Sequence, residues 1–113
     1  MKIIKDSISR VELAELAKEI FGDFVKAVVD IKREVMALGV ELHVDAEAAL
    51  LDDGSAQADL WGINIYPDQT KEDWVEFDSM INLRPAQNNR SRGVEDEGRR
   101  QKIKAVVSKL VVN

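Results

Sequence analysis

At 113 residues, with 45% hydrophobic and 33% charged residues, the chain suits one domain with its own core and an ordinary soluble composition. It has no cysteine, which excludes a disulfide framework and a thiolate zinc site. The net charge of −5 is unevenly spread: residues 1–83 carry 8 basic and 18 acidic groups, and residues 84–113 carry 8 and 3. The acidic body argues against a nucleic-acid partner, while a basic patch from Arg84 onward suits one small anionic ligand.

The opening MKIIKDSISR has no apolar signal-peptide region, and no run approaches the ~20 apolar residues of a membrane span. A cytoplasmic protein with no membrane partner is therefore expected. Residues 2–5 suit a short edge strand. Ser9 and Glu12 have the spacing of a capping box, with Ile8 and Leu13 as its hydrophobic staple. Leu13, Leu16, Ala17 and Ile20 then recur at helical spacing, and Gly22 suits the left-handed residue that ends a helix.

Residues 24–38 fit two patterns. Phe24, Val28, Ile31, Val35 and Leu38 would line one face of a helix. As strands, Val25, Ala27, Val29 and Ile31 share one side. The next residues favour strands, because Met36, Leu38, Val40, Leu42 and Val44 alternate with Gly39, Glu41, His43 and Asp45. The predicted strands are 24–31 and 35–45, with a tight turn at 32–34. Residues 46–51 continue that parity and also suit a short helix. Asp52-Asp53-Gly54-Ser55 marks a turn.

A third strand is expected at 60–66, with Trp61, Ile63 and Ile65 on one side and Pro67 at its end. The fourth is expected at 74–84. There Val75, Phe77, Ile81 and Leu83 would face the core, and Glu76, Asp78, Asn82 and Arg84 the other way. Asp96 is a good N-cap for a last helix with Ile103, Val106, Val107 and Leu110 as its apolar stripe. Short connections favour sequential neighbours. The expected fold is thus α+β: a four-stranded antiparallel meander sheet with an N-terminal and a C-terminal helix packed on one face. The opposite face would be polar, gathering Glu41, His43, Asp45, Asn64, Tyr66, Glu76, Asp78, Asn82 and Arg84.

Several segments resemble a known family: AVVDI at 27–31, ELHVD at 41–45, DLWGINIYP at 59–67, FDSMINLRP at 77–85 and NRSRGVED at 89–96. They are similar to short prokaryotic proteins grouped as a domain of unknown function. The resemblance implies one domain and supplies no activity, ligand or catalytic residue.

Three constellations carry chemistry. On a strand, Glu41, His43 and Asp45 would project together and could ligate a divalent metal such as Zn²⁺ or Mn²⁺, completed by Glu76 or Asp78. His43 could instead be a general base, or make a structural hydrogen bond. The second set is Arg84, Asn82, Asn88, Arg90, Ser91 and Arg92. Its arginine forks match phosphate or carboxylate oxygens, and the following helix N-terminus adds partial positive charge. The loop has neither a P-loop nor a Rossmann pattern. The plainer reading is that these arginines pair with acidic groups such as Asp78 or Glu95 and hold the loop. The third set is aromatic: Trp61 has core parity, while Tyr66 and Trp74 fall on the polar side, as stacking platforms or as rim or dimer contacts. Ser79, on the opposite parity to His43 and outside any GxSxG, is a poor candidate nucleophile.

Three functions are consistent with these groups. The first is a binding domain for a small anion or phosphate-bearing metabolite. The second is a metal-assisted hydrolase or phosphoesterase, with His43, Asp45 and Glu41 as catalytic or metal-binding groups and Arg84 or Arg90 stabilising negative charge. The third is a homo-oligomeric interaction protein.

Overall fold

The computed structural model describes all of residues 1–113. Its elements are β1 (Lys2–Ile4), β2 (Ile8–Ser9), α1 (Arg10–Ile20), β3 (Val25–Asp30), β4 (Val35–Val40), α2 (His43–Asp52), β5 (Leu60–Ile65), β6 (Val75–Glu76), α3 (Glu97–Leu110) and β7 (Val111–Val112). The fold is α+β: three helices pack on a five-stranded antiparallel sheet of order β1-β4-β3-β5-β6. β2 and β7 form a separate parallel pair, Ile8 beside Val111. No helix is long and apolar enough to cross a membrane.

The expected hairpin over 24–38 is present, which removes the helical alternative there. The expected meander is not. β5 pairs with β3, not with β4, because α2 carries the chain across the sheet to the far side of β3. The second predicted strand, 35–45, stops at Val40. Gly39 is the reason. It is an extra residue in β4 where the register with β3 shifts, with φ of 82°. A bulge of this kind reverses which face later residues take, and glycine adopts the left-handed backbone at no steric cost. Val40 therefore joins Val35 and Ala37 on one face, while Met36 and Leu38 pack on the other.

The sheet is covered on both sides. Leu13 and Ala17 of α1 and Ile103, Val106, Val107 and Leu110 of α3 meet Ala27, Val29, Trp61, Ile63 and Ile65. This is the one-sided packing of two helices that their stripes predict. The other face is not the open polar surface expected. Ala46 and Leu50 of α2 bury themselves against Val28, Val35, Ala37, Val40 and Leu60. A fully buried leucine such as Leu50 contributes about 1.5–3 kcal/mol. The remainder of that face, past the start of α2, stays polar: Lys26, Asn64 and Glu76 are opposite one another across β3, β5 and β6.

The predicted fourth strand, 74–84, shrinks to Val75–Glu76. Beyond it the chain turns over Gly62 of β5 so closely that a side chain there would meet Ser79 Cβ at 2.5 Å. The edge of β5 is completed by a side chain instead of a strand. Asn82 Oδ1 accepts from Gly62 N at 2.9 Å, and its Nδ2 donates to Gly62 O at 2.9 Å. A buried amide that copies a backbone partner satisfies groups that could not otherwise be left dry.

Candidate functional site

The first turn of α2 opens into a cleft of about 170 Å³. Its polar lining is Lys26, His43, Ser79 and Arg92, and its apolar lining is Leu42, Val44, Met80 and Ile81. Lys26 comes from β3, Leu42 to Val44 from the helix start, and the rest from the two turns that replace the fourth strand.

α2 begins without a side-chain cap. Its N-cap residue is Leu42, in extended conformation, with no oxygen to accept from the first turn. The other two helices are capped as their sequences predict. Ser9 Oγ accepts from Glu12 N at 3.1 Å, and Asp96 Oδ2 accepts from Arg99 N at 2.7 Å. The first turn of any helix leaves N–H groups without intrahelical partners and carries partial positive charge. In α2 those groups have no side-chain acceptor.

His43 is the first residue of α2 and is 8% exposed. Its Nε2 lies 2.8 Å from Ile63 O. A carbonyl only accepts, so the neutral ring carries its proton on Nε2 and presents a lone pair at Nδ1. Nδ1 makes no hydrogen bond within the protein. Burial is the main cause of a pKa below the usual imidazole value; the Ile63 bond opposes it, Lys26 and Arg92 add to it, and Asp78 opposes it. His43 is therefore neutral at pH 7.

Ser79 is 1% exposed and accepts from Ile81 N at 3.3 Å, so its hydroxyl proton is free to be donated. Against expectation it lines the same cleft as His43, because the chain around it is a turn and not a strand whose parity would separate them. The backbone N–H of Ser79 donates to Arg92 O at 2.9 Å, which ties the two turns together. The Arg92 Nε donates to Asp78 Oδ1 at 2.7 Å, in an exposed ion pair.

The other expected site residues fall elsewhere. Glu41 and Asp45 are exposed at the start of α2, not on a strand with His43. No group of three His, Cys, Asp or Glu side chains has metal-binding geometry anywhere in the chain. Arg84 is structural: it meets Glu47 at 3.3 Å, donates to Gln57 O at 3.0 Å, and its guanidinium lies 4.7 Å from the Trp61 ring. Burial lowers the pKa of that guanidinium, and Glu47 opposes the effect.

Asn82 spans Gly62 and Arg92 O and is fully buried. Asn88 is exposed, in left-handed conformation at φ 60°. Ser91 Oγ accepts from Gly93 N. Arg90 binds only through its backbone N–H, to Glu95 Oε2. Asn89, next to the residue singled out in the sequence, is the hub of the loop. It donates to Asn82 O at 2.7 Å and Gly93 O at 2.8 Å, and accepts from Glu95 N at 2.9 Å. Nothing in the Asn-Asn pair tells which one turns inward.

The expected anion cradle at the start of α3 is thus occupied by the chain's own carboxylates, from Glu95, Asp96 and Glu97. Only Arg92 of the three loop arginines reaches a cleft with His43. Trp74 also departs from expectation. It is 1% exposed in the main core, below the Arg10 guanidinium at 4.9 Å. Tyr66 keeps its place on the polar face, where its hydroxyl donates to Glu76 Oε1 at 3.2 Å. Lys26 enters the site unforeseen, as a strand lysine with no spacing signal to single it out.

Comparison with curated proteins and with solved structures gives no match. The model of a family described as a protein of unknown function (DUF5674) matches residues 2–110, nearly the whole length, and the chain belongs to that family.

Proposed function

We propose that the protein binds a small anionic ligand in the cleft at the start of α2. The carrying observation is that this helix, alone of the three, begins with no side-chain cap, and does so in a cleft with Lys26 and Arg92. The Asp45 N–H already donates to Leu42 O at 3.1 Å, so the first turn offers the N–H groups of His43 and Val44, and with two cations beside them these favour a carboxylate or phosphate oxygen there. The Arg92–Asp78 pair does not oppose this. Both partners are exposed, and such pairs contribute about 0–1 kcal/mol, so Arg92 can turn to a ligand at little cost.

The anion site thereby moves from the arginine loop to the helix before it. The test is a titration with acetate and with inorganic phosphate, followed by the amide resonances of residues 42–45. Saturable shifts there, weakened about tenfold by Lys26→Ala, support it. Shifts confined to Arg90 and the start of α3, or none at millimolar anion, contradict it.

A further inference from the structure

We propose that the ligand is a small apolar acid bearing an O–H or N–H donor beside its carboxylate, an apolar hydroxy or amino acid. This rests on the anion reading above and deepens it. Three observations define the class.

The first is the wall. Leu42, Val44 and Met80 are 56%, 52% and 62% exposed, yet they line one cleft beside charged groups. Scattered surface hydrophobics are ordinary, whereas an apolar cluster around a polar pocket marks a binding surface. Inorganic phosphate would leave that hydrocarbon wet and would lose much of its own hydration against it. A carboxylate places only two oxygens at Lys26, Arg92 and the helix start, and leaves its hydrocarbon to cover the wall.

The second is the size. About 170 Å³ is near the ~150 Å³ of a cavity that holds benzene. It falls below the roughly 300–1,000 Å³ of sites for drug-sized ligands. A branched or aromatic side chain of a few carbons fits, and a nucleotide does not.

The third is the His43 acceptor. The bond to Ile63 O fixes the proton on Nε2 and leaves the Nδ1 lone pair without a protein partner, and Nδ1 is not sealed from solvent, so a donor entering the cleft that His43 lines can reach it. A lone pair beside a plain carboxylate would be repelled. A hydroxyl or amine one carbon away from the carboxylate would donate to it and complete the only unused imidazole position in the chain.

The experiment is calorimetric titration with acetate, 4-methylpentanoate, 2-hydroxy-4-methylpentanoate and leucine, with inorganic phosphate alongside. The ¹⁵N shifts of His43 report whether Nδ1 gains a donor. The hydroxy or the amino acid should bind at least about tenfold more tightly than acetate, with 4-methylpentanoate between them. Well above about pH 6.5, where the ring stays neutral, the His43 Nδ1 resonance should move only with the donor-bearing acids. The two donor-bearing probes tell hydroxyl from amine. Met80→Ser, at an exposed position that folding tolerates, should narrow the preference over acetate about fivefold.

If acetate and phosphate bind as tightly as the apolar acids, the inference is overturned and the anion reading stands. If none of the five binds, both are overturned. If the chain is instead a dimer that Met80→Ser dissociates, the apolar wall belongs to a second copy and the inference is likewise overturned.

Discussion

Helices α2 and α3 each carry an acid in the first turn, yet one begins with a side-chain cap and the other without. α3 opens with Glu95 and Asp96, whose carboxylates take up the Arg90 and Arg99 N–H groups, and with Glu97, which accepts from the Arg100 and Gln101 side chains. α2 opens with Leu42, which takes up none, and its first-turn acid, Asp45, is exposed and accepts no N–H. The net positive charge of residues 84–113 draws attention to α3, yet its helix start is already filled with negative charge. Positive charge along a sequence therefore does not locate an anion site. On the proposed reading, what matters instead is a helix-start donor that no nearby side chain has occupied.

The contrast can be broken by substitution, since loop residues whose side chains already pair within the chain should govern stability and those lining the cleft at the start of α2 should govern binding. The largest effect is expected from Arg84→Ala. It strands Glu47, whose side chain is only 10% exposed, and should cost about 3–5 kcal/mol in urea unfolding. The folded fraction should still bind anions. Next, Lys26→Ala and Arg92→Ala should each weaken anion binding about tenfold in calorimetry, while Arg90→Ala should change neither affinity nor stability. An equal loss for Arg90→Ala would return the site to the start of α3. Removing the α3 cap with Asp96→Ala should lower stability by about 1 kcal/mol and leave affinity alone.

The smallest effect is a pH dependence. Folding lowers the His43 pKa, chiefly through burial, with Lys26 and Arg92 adding to this and Asp78 and the Ile63 bond opposing it. Below about pH 6.5 the unfolded chain then binds more protons than the folded one, so stability falls as the solution is acidified through that range. Melting curves of His43→Gln should lose this part of the acid slope. A bound anion should reduce it too, because it favours the charged ring. An unchanged slope in the variant would assign it to other groups.

Legibility in the sequence divides along the same line. Ser9 with Glu12, Gly22 and Asp96 mark helix ends in letters, and they stand where those letters place them. The 24–38 hairpin announces itself by alternation. α2 lacks every such mark: Leu42 is a poor capping residue, and Leu42 and Val44 prolong a strand-like alternation past the Gly39 bulge. The missing cap that hides the helix is the same feature that leaves its first turn without a side-chain acceptor. Asn82 and Asn89 are illegible for another reason. The Asn82 amide is joined to Gly62 by tertiary contact, which no local pattern encodes, and Asn89 reaches Gly93 within its own loop with nothing to set it apart from Asn88 beside it.

The most direct test is Leu42→Ser, read by unfolding and by anion titration on the same sample. Leu42 is 56% exposed and already in the extended backbone that a capping residue adopts. A serine there should accept from the first turn, raising stability by about 1 kcal/mol and weakening anion binding severalfold. A stabilised variant that binds anions as tightly as the parent would contradict the account, because the donors would be occupied and the ligand unaffected.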